Sequence, residues 1–293
     1  MNVRISQSQL VCGAERMSGL RLARGLRMRL DAELVQRGIV TSRERAKEAI
    51  KAGQVYVNGV KAAKASSAVT CDDVIELRGE VLRYVGRGGL KLEKALQVFG
   101  IDVQGKTCID LGASTGGFTD CMLQAGAARV FAVDVGHGQL AAKLQDDARV
   151  VSLEGVDARA VTSEMLGASV EFAATDVSFI SLKKVLPAIA GVLDEGACAV
   201  CLVKPQFEAG REHVGKKGVV RSPRIHEQVL ERVMGCACVV GLKPIALDYS
   251  PVTGPEGNIE YLLLVRKSTR GCVVNEIAES IPQVVSAAHM ALA

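Results

Sequence analysis

The second half of the chain alternates short apolar runs with amphipathic stretches. Apolar runs that predict strands lie near residues 107–111, 129–134, 149–153, 171–177, 196–204, 245–249 and 259–265, and helical periodicity fills most of the intervals. Strands that alternate with helices indicate crossover connections, which favour parallel pairing. The pattern therefore predicts an α/β fold around a doubly wound, Rossmann-like sheet of seven mostly parallel strands.

The first half has shorter elements. A helical face begins at Arg29, and Thr41–Glu44 has the spacing of a capping box that would open a second helix. Asn58 and Gly59 then form the strongest short signal for a β-hairpin turn. Two short helices and a small sheet are too little for an enzyme core, so we expect an α+β binding module.

These patterns divide the chain into five segments. We predict a poorly ordered extension over residues 1–27, with Met28 as the functional start, and the binding module over 28–82. A glycine-rich linker over 83–90, the α/β domain over 91–270 and a helical tail over 271–293 complete the chain. By pattern alone, Lys91 is a surface residue at the start of a helix.

Charge is unevenly distributed. Residues 1–91 hold 17 Lys and Arg against 9 Asp and Glu, and the remainder holds 19 against 23. A basic segment commonly meets phosphate, although a solvated basic face explains charge alone equally well. Aromatic residues make up only 3% of the chain, so recognition of shape and backbone fits better than base stacking.

Other features of composition concern location. No apolar run approaches the roughly 20 residues that span a membrane, and the N-terminus lacks the apolar block of a signal peptide. Nine cysteines, an odd number in mostly apolar contexts, fit reduced core residues better than a disulfide framework or a metal site. We therefore expect a cytoplasmic protein without a bound metal.

One stretch, residues 106–120, has the pattern of a strand, a glycine turn and a helix. The apolar run ends in Asp110, and Gly112, Gly116 and Gly117 permit backbone angles and close approaches that a side chain blocks. The helix that follows, which includes Phe118, presents free N–H groups to whatever the loop holds. This arrangement suits a cofactor.

The same loop also matches the G-x-S-x-G elbow of hydrolases, in which Ser114 would be the nucleophile. None of the four histidines lies in a convincing late loop with an acidic partner, which disfavours a hydrolase. The loop also differs from the G-x-G-x-x-G of dehydrogenases, which disfavours an oxidoreductase. Binding of S-adenosylmethionine explains the glycines and the neighbouring acids better than either alternative.

Two acids follow the next strands. Asp134 closes the second strand, where a carboxylate can bind the two hydroxyls of a ribose, and Val135 is next to it. Asp157, after the third strand, is placed to meet an adenine amino group. A helix cap at Asp134 and a plain turn residue at Asp157 remain alternatives.

The fourth and fifth strands end in charged residues, Asp176 and Lys204. Ligands of such sheets lie beyond the carboxyl ends of the strands, so both side chains should converge near the cofactor's methyl group. Glu260 lies early in an apolar strand, where an unpaired carboxylate is costly and a lysine partner would offset the cost. The loop 208–222 is long, glycine-rich and cationic.

The N-terminal module resembles the S4 RNA-binding domain of ribosomal proteins and RNA-modifying enzymes. The resemblance rests on Arg29-Leu-Asp, Arg37-Gly, Ser42-Arg, and the run from Gly53 to Gly59. It implies binding to structured RNA rather than DNA. The cations that it suggests for this role are Arg29, Arg43, Arg45, Lys47 and Lys51.

Over residues 29–266 the chain resembles the TlyA (hemolysin A) family of ribosomal RNA 2′-O-methyltransferases, whose catalytic domain is of the FtsJ/RrmJ type. The resemblance rests on residues 84–92, 110–120, 134–136, 176–182, 204–210 and 257–260. It implies S-adenosylmethionine as cofactor and a catalytic tetrad of Lys91, Asp176, Lys204 and Glu260. Gly86 and Asp157 depart from the family pattern, in which Ser and Asn are common.

The full set of expected sites follows from the loop and the resemblance together. The expected cofactor-binding residues are Asp110, Gly112, Ser114, Gly116, Gly117, Phe118, Asp134, Val135, Asp157 and Asp176. The further cations expected to bind RNA are Arg83, Arg87, Arg211, Lys216 and Lys217. The last three lie in the loop 208–222, which we expect to close over the RNA backbone.

The implied reaction needs a ribose 2′-hydroxyl, a poor nucleophile, to lose its proton in line with the methyl group. Lys204 is the candidate for that task, either as the base or as a group that only orients the oxygen. The base role needs burial and the neighbouring Lys91 to lower its pKa, a shift that Asp176 and Glu260 oppose. The expected partner is ribosomal RNA within a ribosomal subunit, with no membrane and no stable protein partner. An RNA-binding assembly factor with a degenerate core and a membrane-active hemolysin-like protein remain the alternatives.

Overall fold

A computed structural model describes residues 27–40, 43–51, 53–78, 83–269 and 275–292. The chain forms two compact units, Met1–Val81 and Leu82–Ala293. The extension predicted for residues 1–27 lies outside the described residues except for Arg27, as do Thr41 of the predicted capping box and the start of the predicted tail.

The first unit is a small α+β module. The elements are β1 (Met28–Arg29), α1 (Leu30–Gln36), α2 (Arg43–Lys51), β2 (Val55–Val57), β3 (Val60–Lys61), β4 (Ala68–Val69) and β5 (Ile75–Leu77). A three-stranded sheet has the order β3-β2-β5, and a separate antiparallel pair joins β1 to β4. Asn58 and Gly59 both have positive φ values and form the turn between β2 and β3, as the hairpin signal predicts.

A buried carboxylate orders the basic surface of this module. Asp31 is fully buried, and it accepts hydrogen bonds from Arg29 Nε and Nη2 and from Arg43 Nη2, each at 3.0 Å. The hydrogen bonds from Arg29, the largest cause, hold the pKa of Asp31 well below its usual range. Both arginines are thereby held in fixed positions while about half of each side chain stays exposed.

The second unit is a three-layer α/β/α sandwich. The elements are α3 (Gly88–Val98), β6 (Thr107–Leu111), α4 (Gly117–Gln124), β7 (Arg129–Asp134), α5 (Ala142–Gln145), β8 (Val150–Glu154), α6 (Ser163–Leu166), β9 (Val170–Thr175), α7 (Leu186–Val192), β10 (Leu193–Val203), α8 (Pro205–Glu208), α9 (Pro223–Val239), β11 (Leu242–Tyr249), β12 (Tyr261–Lys267), α10 (Asn275–Ala278) and α11 (Ile281–Leu292). The central sheet has the strand order β11-β12-β10-β9-β6-β7-β8, in which β6 to β10 are parallel and β12 is antiparallel to both neighbours. The predicted fold, a mostly parallel seven-stranded sheet, is confirmed.

Strand residues alternate between two apolar cores. Cys108 of β6 packs with Phe172 in the core that holds residues of α3 and α4, whereas Ile109 packs in the core that holds residues of α7, α9 and α11. Both faces of the sheet are therefore covered, which explains why its strands are nearly continuous apolar runs.

The start of α3 differs from the sequence expectation. The helix begins at Gly88, three residues earlier than predicted, so the structure shortens the predicted linker 83–90. Gly89 packs tightly, because a Cβ there would lie 2.3 Å from the Tyr84 ring. Lys91 then lies in the first turn of the helix and is 7% exposed, so its description as a surface residue was wrong.

Two further observations concern membrane-spanning helices and the state of the cysteines. Among the residues described, helices long and apolar enough to cross a membrane are not found. Of the cysteines within the described ranges, six are free thiols and Cys238 is disulfide-bonded, so the expectation that all nine are reduced was wrong at that position.

A buried histidine on α9 contacts the first residue of β12. His226 Nδ1 lies 2.7 Å from the Tyr261 hydroxyl, and its Nε2 lies 2.9 Å from the Val220 carbonyl oxygen. His289 of α11 approaches the same ring at 3.2 Å. Burial, the largest cause, lowers the pKa of His226 to about 4.

This pKa predicts a loss of stability in mild acid. The unfolded chain protonates His226 below about pH 6.5, whereas the folded protein does not until about pH 4, so the free energy of unfolding falls across that interval. We expect this group to cost about 2 kcal/mol at pH 5 relative to pH 7. Urea denaturation of His226→Gln at both pH values should show a smaller pH dependence than wild type.

The exposed His137 provides the control, because His137→Gln should keep the wild-type pH dependence. Equal pH dependence in His226→Gln and wild type would show that His226 does not carry the effect.

Candidate active site

The site lies where the order of the parallel strands reverses. From β6 the chain builds outward to β7 and β8, whereas β9 and β10 lie on the other side of β6. The switch point therefore lies between the carboxyl ends of β6 and β9, which is the usual ligand position in such folds. Gly112, Asp176 and Lys204 directly follow β6, β9 and β10.

The antiparallel strand brings Glu260 to the same edge. Tyr261, the first residue of β12, pairs with Val203, the last residue of β10. Glu260 therefore precedes β12 beside Lys204, which follows β10. A strand parallel to β10 would have placed this carboxylate at the opposite edge.

Four charged side chains meet at this edge. Lys91 Nζ donates to Glu260 Oε2 at 2.6 Å and lies 3.7 Å from Asp176 Oδ2. Lys204 Nζ lies 2.5 Å from Asp176 Oδ1. The result is a chain of alternating charges, Glu260, Lys91, Asp176 and Lys204, in which Asp176 joins the two lysines.

These charges are largely removed from water. The Lys91 and Lys204 side chains are each 9% exposed, Glu260 is 1% exposed, and Asp176 is 20% exposed. Two positive and two negative charges balance, which offsets the large cost of burying each one alone. Asp176, the most exposed member, is the point where a ligand can reach the network.

Lys204 has a second neighbour that the sequence patterns did not single out. Its Nζ donates a hydrogen bond to Ser178 Oγ at 2.8 Å, and Ser178 is exposed. The Phe207 ring centroid lies 5.9 Å from the same nitrogen. Ser178 lies in the segment after β9, two residues beyond Asp176.

An exposed aromatic side chain flanks this serine. Phe179 is 91% exposed and has a φ of +63°, a conformation that bulky residues rarely adopt. Its ring lies 5.2 Å from the Phe207 ring. The low aromatic content had suggested little base stacking, but the few aromatic residues include this pair beside Lys204.

Glu208 fastens the segment after β9 to the segment after β10. Its carboxylate accepts hydrogen bonds from Ser181 Oγ and from Leu182 N, both at 2.7 Å. Burial, the largest cause, raises the pKa of Glu208 above its usual value. This bond ties together the two segments that carry Asp176 and Lys204.

The glycine loop after β6 is held by the acid at the end of β7. Asp134 accepts hydrogen bonds from Ser114 N at 2.8 Å and from Gly136 N at 2.7 Å. Ser114 has a φ of +48° and an exposed side chain, and Val135 is 70% exposed. Among the described residues, no histidine bonds the Ser114 hydroxyl, which leaves the hydrolase alternative without its base.

A buried acid lies beneath the loop. Asp110 Oδ2 accepts hydrogen bonds from Thr119 N at 2.9 Å and Thr119 Oγ1 at 2.7 Å, while the buried Oδ1 has no partner among the described residues. Burial, the largest cause, raises the pKa of Asp110 to about 7. Phe118, also predicted to border the cofactor, is 3% exposed in the core beside it.

The structure explains why two positions of the loop require glycine, which the sequence alone could not show. Gly112 has a φ of +89°, and a Cβ there would lie 3.1 Å from the Asp176 carbonyl oxygen. A Cβ on Gly117 would lie 3.0 Å from Gly89 N in the first turn of α3. Close approach by neighbouring backbone, in addition to any ligand, therefore requires glycine here.

Asp157 makes only local contacts. It accepts a hydrogen bond from Arg159 N and pairs with the Arg159 side chain, at 2.9 and 2.5 Å. These bonds cap a short 3₁₀ helix over Ala158–Ala160. This geometry matches the turn alternative, and the adenine contact stays a prediction.

The predicted RNA-binding cations face outward wherever their side chains are described. On α2, Lys47 and Lys51 are exposed, whereas the side chain of Arg45 lies outside the description. Arg83 pairs with Glu93 at the start of the second unit. The other cations predicted to bind RNA in that unit are also exposed, namely Arg87, Arg211, Lys216 and Lys217.

The loop that carries three of these cations is anchored beside the tetrad. Asn258, two residues before Glu260, accepts a hydrogen bond from Val220 N at 3.1 Å and donates one to the Gly218 carbonyl at 2.9 Å. Asn258 is only 2% exposed. Its amide therefore connects the cationic loop to the segment that positions a tetrad carboxylate.

The chain matches two protein families in sequence. Residues 84–267 match the FtsJ-like methyltransferase family, and residues 28–75 match the S4 domain. These matches cover both structural units.

Individual relatives match this chain along most of their length. The 16S/23S rRNA (cytidine-2′-O)-methyltransferase TlyA of Mycobacterium tuberculosis is 46% identical over 83% of this chain and 91% of the relative. Hemolysin A of Brachyspira hyodysenteriae is 44% identical over 80% and 98%. A solved structure described as a hemolysin, from Streptococcus thermophilus, has 46% identity and a TM-score of 0.73 over 90% and 96%. The chain belongs to the TlyA (hemolysin A) family of FtsJ-like methyltransferases that carry an S4 domain.

Proposed function

We propose that this protein methylates a ribose 2′-hydroxyl of ribosomal RNA with S-adenosylmethionine. The observation that carries the proposal is the chain of paired charges formed by Lys91, Asp176, Lys204 and Glu260 at the switch point of the sheet. A degenerate core would have no reason to retain four paired charges that are largely removed from water. The network therefore favours an enzyme over an assembly factor without catalysis.

The residues of the loop fit the cofactor. Asp110 offers a buried carboxylate oxygen without a partner among the described residues, which suits the positive charge of the methionine portion. Asp134 keeps acceptor capacity beyond its two backbone bonds, which suits ribose hydroxyls. We assign a cationic group of S-adenosylmethionine, its ammonium or its sulfonium, to Asp110. The rest of the methionine portion is assigned to the loop at Gly112–Gly116, and the nucleoside to Asp134 and Val135.

The chain's own residues would orient and deprotonate the ribose hydroxyl. Lys204, once it has released one proton to water, accepts the proton of this hydroxyl on its free lone pair, while Asp176 and Glu260 hold the two lysine amines in place. Lys91 neutralises Asp176 and Glu260, so that neither is left unpaired in the interior. When bound, S-adenosylmethionine supplies a methyl group on a sulfonium sulfur, which keeps the bonding electron pair as oxygen takes the methyl group.

RNA recognition is shared between the two units in this proposal. The S4 module supplies cations for the phosphate backbone, with Arg29 and Arg43 held in place by Asp31. The loop around Lys216 and Lys217 supplies further phosphate contacts near the tetrad. Because a ribosomal subunit is the proposed substrate, we place the protein's action in the cytoplasm.

Exposed Phe179 adds a stacking surface for the nucleotide that receives the methyl group. At 91% exposure the ring buries little apolar surface, even with the Phe207 ring beside it, and its backbone of positive φ holds it near Ser178 and the tetrad. A base rotated out of its helix can stack on such a ring. This contact would bring the attached ribose toward Lys204.

Lys204→Ala should lower the rate of methyl transfer at least about 100-fold, because it removes the group that accepts the proton. Binding of S-adenosylmethionine, measured by calorimetry, should stay within about twofold of wild type, since Asp110 and Asp134 are untouched. Lys243→Ala, which alters an exposed lysine on β11, is the control and should be fully active. Near-normal turnover by Lys204→Ala would reject the proposed role.

Phe179→Ala should lower kcat/KM for RNA by about 10- to 100-fold, the usual effect of losing one base-stacking contact. Phe179→Tyr keeps an aromatic face and should retain most activity, whereas Phe179→Leu keeps apolar bulk without that face. Thermal unfolding should be unchanged in all three, because the side chain is exposed. Wild-type kcat/KM in the leucine variant would show that stacking is not required.

Lys216→Ala and Lys217→Ala together should weaken RNA binding and reduce its dependence on salt. Two lost phosphate contacts should flatten the slope of log K against log salt concentration by about 1.5. Binding isotherms at several salt concentrations measure this slope, and Lys243→Ala again serves as the control. A slope equal to wild type would place these lysines outside the RNA interface.

A further inference from the structure

The residue that pairs with the charge of the Lys204 amine differs from the residue that accepts its hydrogen bond. The carboxylate oxygen Asp176 Oδ1 lies 2.5 Å from Nζ, but it has no well-aligned hydrogen bond among the described residues. Ser178 Oγ accepts the hydrogen bond that Nζ does make, at 2.8 Å. We propose that Ser178 is a positioning residue that fixes the rotation of the Lys204 amine and so aims it at the ribose hydroxyl. This inference rests on the proposed function.

The geometry of an amine gives this hydrogen bond its importance. An ammonium group has three N–H donors, and a neutral amine has two together with one lone pair. A lone pair must face the ribose hydroxyl for Lys204 to accept its proton. An ion pair attracts the amine without selecting its rotation, whereas an aligned N–H to Ser178 Oγ does select it. Ser178 thus keeps one N–H turned away from the substrate.

The same bond should also strengthen as the proton arrives. A hydrogen bond from an ammonium group is charge-assisted and stronger than one from a neutral amine. Ser178 therefore favours the state in which Lys204 has taken the proton. The proton moves from the ribose oxygen to Nζ, and Ser178 neither gains nor loses one.

The segment that carries Ser178 is held firmly enough for this task. Asp176 N donates to the Leu111 carbonyl oxygen at 3.1 Å, and the Glu208 carboxylate holds Ser181 Oγ and Leu182 N. Ser178 lies between these anchors. Because its own side chain is exposed, no packing requirement explains a hydroxyl at this position.

The test compares Ser178→Ala with Ser178→Thr, which keeps a hydroxyl. Single-turnover and steady-state assays would use the full-length protein, labelled S-adenosylmethionine and isolated ribosomal subunits. We expect Ser178→Ala to lower kcat about 10-fold, with KM for both substrates and the melting temperature unchanged. Ser178→Thr should recover to within about threefold of wild type. Ser152→Ala, at an exposed serine on β8, is the matched control and should be fully active.

Three results would overturn the inference while leaving the proposed function intact. They are a wild-type kcat in Ser178→Ala, a rise in KM for RNA at constant kcat, and a Ser178→Thr variant as slow as Ser178→Ala. The second result would make Ser178 a substrate contact rather than a residue that acts through Lys204. A wild-type protein that transfers no methyl group to either subunit would instead reject the proposed function, and the inference with it.

Discussion

The structure depends on the requirement that four largely buried charges be paired at once. Lys91, Asp176, Lys204 and Glu260 come from a helix and from segments bordering three strands, and their side chains are between 1% and 20% exposed. Removing one partner from such a network leaves an uncompensated charge, which costs more than the pair contributes. The carboxyl edge of the sheet is therefore organised around this pairing. A substrate can contact the network at the exposed Ser178 and the partly exposed Asp176.

Several features of the fold satisfy that requirement together. The antiparallel β12 brings Glu260 to the edge where β10 ends, and the early start of α3 directs Lys91 into the interior. Close packing at Gly112 and Gly117 lets the glycine loop, the segment after β9 and the first turn of α3 approach one another. Asn258 and Glu208 then connect this edge to the surrounding loops. The cofactor loop and the charged network therefore share the same backbone contacts.

The sequence predicted the sheet well because buried strands are long apolar runs with clear ends. It also suggested that Glu260 needs a lysine partner, since an acid in an apolar strand is costly. Pattern alone failed at Lys91, which only the family resemblance assigned to the tetrad, because a helix start marked by two glycines has no capping signal and a buried lysine resembles an exposed one. Ser178 and Phe179 were missed for a related reason: periodicity describes packing, whereas their importance comes from exposure beside Lys204. The contacts of Asp157 with Arg159 depend on local turn geometry that residue type alone does not specify.

The most direct test of the central claim is to identify the atom that receives the methyl group. The purified protein would be incubated with methyl-labelled S-adenosylmethionine and with separated small and large ribosomal subunits that lack the modification. The RNA would then be digested to nucleosides and analysed by mass spectrometry. Label in a 2′-O-methylnucleoside from at least one subunit is the expected result. Label on a base, or no transfer to either subunit, would contradict a ribose methyltransferase built on the Lys91, Asp176, Lys204 and Glu260 network.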